Sequence, residues 1–297
     1  MESSESSSAS SPLNLAPPAP SCPPPLAWTQ VLEQFRAAAV PFEVAGDGEP
    51  IRGLTFGSGQ PLYVLNAWSG TSEVFCLMAW LLREQFRLVL IDYPQSARNW
   101  DTFKDCPARV ATFLGDEHYD LLATGFGSVP ALLQALTPAT GLRRLVLQSS
   151  IVSYRLSWLE RAGAAVFSVL PASIRNAFFR TRLLYSQHRL WFPPIDETRW
   201  QFLAANCLQT PLKVVAQRFR LLHGLDLTSR LKDVRQPVLL VDCEGEPQRN
   251  KQANQVLGRE LPDATYEAVP NCGQVPHVTH PHRLAGLLKK FLLPQES

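Results

Sequence analysis

Five short runs of apolar residues set the rhythm of the chain: Leu62–Asn66, Leu88–Asp92, Leu121–Thr124, Leu145–Gln148 and Val238–Asp242. Each is apolar almost throughout instead of alternating, which suits strands of a parallel sheet covered on both faces. Thr265–Val269 is a sixth, more polar candidate. Between the runs, apolar residues recur at helical spacing near 73–86, 101–114, 128–136, 250–261 and 281–292. Strand and helix in strict alternation predict a doubly wound α/β fold with a mostly parallel sheet. The stretch from about 151 to 225 breaks this rhythm with helical segments rich in Trp, Phe, Leu and Arg, interrupted by Pro171 and the Pro193-Pro194 pair. It reads as a helical cap inserted between two strands. Residues 1–25 are mostly Ser and Pro with few large apolar side chains, the composition of a disordered tail. One domain over 26–297 is therefore expected after a tail over 1–25.

Composition narrows the class. A formal charge of +2, from 28 Lys and Arg against 26 Asp and Glu, gives no electrostatic reason to expect nucleic-acid binding. The six cysteines are scattered without a C-x-x-C pair, so reduced thiols in a cytosolic protein are expected. Cys272, His277, His280 and His282 match no common zinc spacing, and no metal or cofactor is expected. No run approaches the ~20 apolar residues of a membrane span. The first basic residue is Arg36, and no apolar core follows Met1, so no secretory leader is read at the amino end.

The segment Tyr119–Leu133 reads as a buried strand, a tight turn and a helix. Its pattern is similar to the G-x-S-x-G turn of α/β-hydrolases, in which a strained serine stands at the apex. With Gly125 as the first glycine of the motif, the apex falls on Gly127, which has no side chain to attack a carbonyl. Ser128 is the neighbouring hydroxyl, but Phe126 and Pro130 flank it where a tight turn wants small residues, so it is expected to open the following helix. The histidine that normally follows the last strand in a G-H-x-P pattern is replaced in Gly273-Gln274-Val275-Pro276 by Gln274, whose amide does not titrate near neutrality. His277 lies three residues on and is expected as a capping or surface histidine. Glu246, in Cys243-Glu244-Gly245-Glu246, holds the position of the orienting acid and is expected as a solvated turn carboxylate. Ser69, Gly70 and Thr71 form a Ser-Gly turn whose backbone N–H groups suit an anion or a polar ligand group. Triad residues act as a unit, so two missing members predict loss of nearly all triad catalysis.

A more specific similarity lies in Asn66–Phe75, which resembles the P-x-S-G-T-x-x-V-F segment of the maspardin (spastic paraplegia) family, and in Phe86–Pro94, which resembles its next strand ending in Tyr-Pro. That family also lacks histidine at the station of Gln274, but it retains the elbow serine. The resemblance runs from about residue 50 to 292 and implies the α/β-hydrolase fold with a helical cap. It also implies a non-catalytic, protein-binding adaptor in the cytosol, able to associate with endosomal and trans-Golgi membranes and to act in trafficking or signalling. Trp158, Leu159, Val166, Phe167, Leu170, Ile174, Phe178 and Phe179, flanked by Arg155, Arg161, Arg175, Arg180 and Arg182, form a basic apolar stretch in the cap. It suits either packing over the cleft or contact with a partner or a membrane surface. Two other readings stand beside the adaptor: a serine hydrolase using Ser128 with His277, and a small-molecule receptor using the vacated cleft.

Overall fold

The computed structural model describes residues 26–45, 49–67, 71–95, 97–138, 141–170, 172–173, 188–193 and 195–294. The Ser/Pro-rich segment 1–25, Ser69, Gly70, and the cap residues Ile174, Arg175, Phe178, Phe179, Arg180 and Arg182 lie outside the described residues.

Eight strands form one sheet. They are β1 (Val40–Val44), β2 (Ile51–Phe56), β3 (Gln60–Leu65), β4 (Phe86–Asp92), β5 (Tyr119–Thr124), β6 (Leu142–Gln148), β9 (Val238–Cys243) and β10 (Ala264–Val269). Their order is β1-β2-β4-β3-β5-β6-β9-β10. Only the pairings of β2 with β1 and β4 are antiparallel. A second, two-stranded antiparallel ladder joins β7 (Ser153–Tyr154) to β8 (Leu225–Asp226).

The apolar runs are apolar throughout because both faces of each central strand are buried. Tyr63, Leu65, Leu121, Ala123, Leu145 and Leu147 point into one core with α3 (Trp100–Leu114), α4 (Ser128–Ala135) and α8 (Gln248–Glu260). Their neighbours Leu62, Val64, Leu122 and Val146 point into the other. That second core includes α1 (Trp28–Ala38), α2 (Cys76–Leu82) and α10 (Pro281–Leu292). The α/β expectation holds. The helix read over 73–86 resolves into a 3₁₀ turn, Ser72–Phe75, followed by α2. The antiparallel pair β1 and β2 and helix α1 were not foreseen.

Between β6 and β9 lie α5 (Trp158–Val169), a 3₁₀ turn Arg189–Trp191, α6 (Glu197–Leu208) and α7 (Leu212–Leu222). The ladder of β7 and β8 ties the start of this insertion to its end. A capping box opens α5: Ser157 Oγ accepts from Glu160 N at 3.3 Å, and Glu160 Oε2 accepts from Ser157 N at 2.7 Å. Helix α5 packs on α7 and buries little of itself; Trp158, Leu159, Val166, Val169 and Leu170 are exposed.

The order of strand addition reverses at β3: β4 lies on one side of it and β5 on the other, both parallel to it. In open α/β sheets, ligand crevices form beyond the carboxyl ends of the strands at such a switch point. Asn66 and Ala67 follow β3 there, Gly125 follows β5, and all three line the same cleft.

Candidate functional site: the cleft at the strand ends

The turn after β5 bends at Gly125, whose φ of +52° lies in the left-handed region that favours glycine. Gly127 instead has helical angles, φ −60° and ψ −22°, and caps α4. The bend therefore stands two residues earlier than the spacing suggested. Gly127 serves a packing role: a Cβ there would fall 2.7 Å from Asn66 O and 2.8 Å from Leu65 O. Bare backbone lets α4 start against the end of β3. Phe126, between the two glycines, is fully buried and stacks on Trp100 at 5.4 Å, with Phe103 edge-on at 5.2 Å.

Ser128 does open α4, and its hydroxyl is committed. It donates to Gly125 O at 2.7 Å and accepts from Ile151 N at 2.9 Å, fastening the turn to the segment after β6. It is fully buried and is not among the residues that line the cleft. Thr71, the described member of the Ser-Gly turn, donates its hydroxyl to Asn206 Oδ1 at 2.7 Å on α6.

Glu246 corrects an expectation. It is buried, not solvated, because β6 and α8 close over the turn after β9. Its Oε1 accepts from Ser149 Oγ at 2.8 Å and Ser149 N at 3.1 Å, and its Oε2 accepts from Asn254 Nδ2 at 3.1 Å. Burial raises its pKa from 4.5 to about 7, with the Ser149 hydrogen bond opposing the rise and Asp242 adding to it. Ser149 itself has φ +53°, a strained backbone for a residue with a side chain.

His277 is the second correction. It lies on α9 (Pro276–Thr279), buried, with its ring 4.3 Å from that of Phe75. Its Nδ1 has no hydrogen-bond partner among the described residues. Burial first, and His188 second, lower its pKa from 6.5 to about 3, so the ring is neutral at physiological pH. Burial lowers His188 likewise to about 4. Gln274 stands on the cleft wall, and its backbone carbonyl accepts from Gln148 Nε2 at 3.2 Å.

The cleft has a volume of about 410 Å³. Its floor includes Thr124, Gly125, Ser149, Ser150 and His277, and its apolar wall includes Val74, Leu203 and Phe219. The loops after β9 and β10 are joined by Gly245 N donating to Cys272 O at 2.9 Å. The indole of Trp191 lies against both: a Cβ on Gly245 would fall 2.0 Å from its Cε2, and one on Gly273 would fall 2.6 Å from its Cγ. Sequence reasoning missed Thr124, His188, Ser149 and Ser150. The polar triplet Gln148-Ser149-Ser150, closing an otherwise apolar strand, was the available signal for the serines.

A family model described as "Alpha/beta hydrolase family" matches residues 57–287. The chain belongs to this family. A curated relative, pimeloyl-[acyl-carrier protein] methyl ester esterase of Aromatoleum aromaticum, is 33% identical over 85 residues, 29% of this chain. The chain spans only about a third (34%) of that relative's length. Among solved structures, a thermophilic esterase from Thermogutta terrifontis superposes with a TM-score of 0.71 at 15% identity, covering 86% of this chain and 97% of its own. A hydrolase from Pseudomonas aeruginosa gives 0.69 at 17% identity, covering 86% and 98%. Such identities establish a shared α/β-hydrolase fold, while function rests on the site of each protein.

The buried ionisable groups give a pH prediction with two opposed signs. Glu246 has a higher pKa folded than unfolded, so its protonated form favours the folded state. That contribution is complete below pH 4.5 and is lost as pH rises through about 7. His277 and His188 act oppositely, withdrawing stability as pH falls below 6.5 toward their folded values of about 3 and about 4. Glu246→Gln removes only the first contribution. Urea unfolding should therefore show Glu246→Gln gaining on the native chain between pH 5 and pH 8, by up to ~3 kcal/mol. A constant difference across that range would contradict the raised pKa.

Proposed function

We propose that this chain is a non-catalytic member of the α/β-hydrolase family that binds a small molecule in the cleft. The observation that carries the reading is Gly125: the residue at the sharp bend after β5, on the cleft floor, has no hydroxyl. Gln274 at the base position, His277 with its Nδ1 lacking a hydrogen-bond partner among the described residues, and the committed hydroxyl of Ser128 support it. The test is a fluorophosphonate probe on purified protein. No serine should be labelled. Labelling abolished by Ser128→Ala or Ser150→Ala would restore the hydrolase reading.

A second reading rests on a separate observation. Trp158 is 70% exposed and Val169 78% exposed on α5, an apolar face of the kind that marks contact sites. A maspardin-like adaptor of endosomal and trans-Golgi trafficking would use such a face to hold a protein partner. No helix among the described residues is long and apolar enough to cross a membrane. Affinity capture with native chain and with Trp158→Asp tests it. A partner retained by the first and lost by the second is the expected result, and equal recovery would remove α5 from the interface.

A further inference from the structure

Besides His188 Nδ1, three buried polar atoms of the cleft lining have no hydrogen-bond partner among the described residues: Thr124 Oγ1, Ser150 Oγ and His277 Nδ1. Their residues are 1%, 0% and 4% exposed, so solvent at the surface does not serve them. Buried polar groups are ordinarily satisfied, and several exceptions converging on one cavity call for an explanation. The three arrive from different places: the end of β5, the residue pair beyond β6, and α9. Together they bring to the lining that also holds Gly125 two hydroxyl groups able to donate or accept and an imidazole nitrogen whose role follows its tautomer.

Charge defines what they suit. Among the described lining residues, the one side chain with a full charge at neutral pH is Arg249. Its side chain is half exposed, lies 3.6 Å from Glu160 and covers the ring of Tyr154 at 4.2 Å. Glu246 sits behind Ser149 and outside the lining, and Asp242 is turned to Asn254 and Tyr266. An anionic or cationic head at the floor would thus be desolvated without a counter-charge, which is far costlier than burying a neutral hydrogen-bonding group. Above the floor, Val74, Ile151, Leu203, Cys207, Val215 and Phe219 offer apolar surface. The volume of about 410 Å³ lies within the common size range of small-molecule sites.

Resting on the reading of the cleft as a binding site, we propose that its ligand is an uncharged amphiphile that enters head first. An amide, hydroxyl or carbonyl head is seated on Thr124, Ser150 and His277, and an alkyl body lies along the Val74–Phe219 wall.

Isothermal titration at neutral pH with decanamide, decanol, decanoate and decylammonium, each below its micellar concentration, tests this on the full chain. Decanamide and decanol should bind, and the two ions should bind at least about tenfold more weakly. Ser150→Ala and the nearly isosteric Thr124→Val should each weaken decanamide by about five- to tenfold, with circular dichroism confirming that both variants fold. Decanoate binding as tightly as the neutral compounds, and losing affinity in Arg249→Ala, would place the head at the rim and overturn the proposal while leaving a receptor cleft. Neutral ligands indifferent to both floor variants would overturn it in the same way. Binding of none of the four compounds would remove the receptor reading together with the proposal.

Discussion

Replacing Gly127 by serine is expected to cost ~3 kcal/mol or more of folding stability, whereas the same replacement at Gly125 should cost only ~1–2 kcal/mol. The two glycines are separated only by Phe126, but they are constrained differently. At Gly127 the new Cβ meets main-chain oxygens of Leu65 and Asn66 at 2.8 and 2.7 Å. Those atoms belong to the end of β3, which is paired with both β4 and β5. They cannot retreat without prising the sheet apart, unlike the tip of a flexible side chain. At Gly125 the cost is the left-handed backbone, φ +52°, imposed on an L-residue. Urea unfolding of Gly127→Ser and Gly125→Ser measures both. Equal losses, or the reverse order, would move the bend back to the position that sequence spacing suggested. Gly125→Ser alone should remain unreactive toward a fluorophosphonate, since Gln274 supplies no base and burial holds the His277 pKa at about 3, too low for a general base near neutrality.

Phe126→Ala should destabilise the chain by about 3–5 kcal/mol, as expected for truncating a large buried aromatic. The ring is fully buried and is held by Trp100, Phe103 and, edge-on at 6.0 Å, Tyr93. Those neighbours come from α3 and the end of β4, so the cavity left behind cannot collapse without moving several elements. The loss should appear as a lower urea midpoint with an unchanged slope. A cost under 1 kcal/mol would mean that the turn is loosely packed and that its geometry does not define the cleft floor.

The strands most readable in the sequence were those whose two faces are both covered. Leu88 and Leu90 enter one core while Val89 and Ile91 enter the other, so the run is apolar whichever face is counted. The unforeseen antiparallel edge reads differently: Val40 is 61% exposed, and β1 is only five residues long, interrupted by Pro41 and Glu43, with just Phe42 and Val44 buried. Tyr266 on β10 is exposed at the opposite edge, which is why that strand gave a weaker pattern. At the site, the strand–turn–helix was legible but its register was not. Two glycines with the spacing G-x-G fit the turn either as first small residue and apex or as apex and last small residue. Backbone angle decides between them, and composition does not report it. Glu246 and His277 were misjudged for another reason. Their burial is imposed by Asn254, Ser149 and Phe75, residues remote in the chain or on separate elements, which no local pattern announces.

Trp191 has a mechanical consequence. Its indole is wedged on two strips of naked main chain at Gly245 and Gly273, pinning one margin of the helical insertion to the loops that follow β9 and β10. That margin behaves as a latch: lifting it unseats an aromatic ring from both glycines at once.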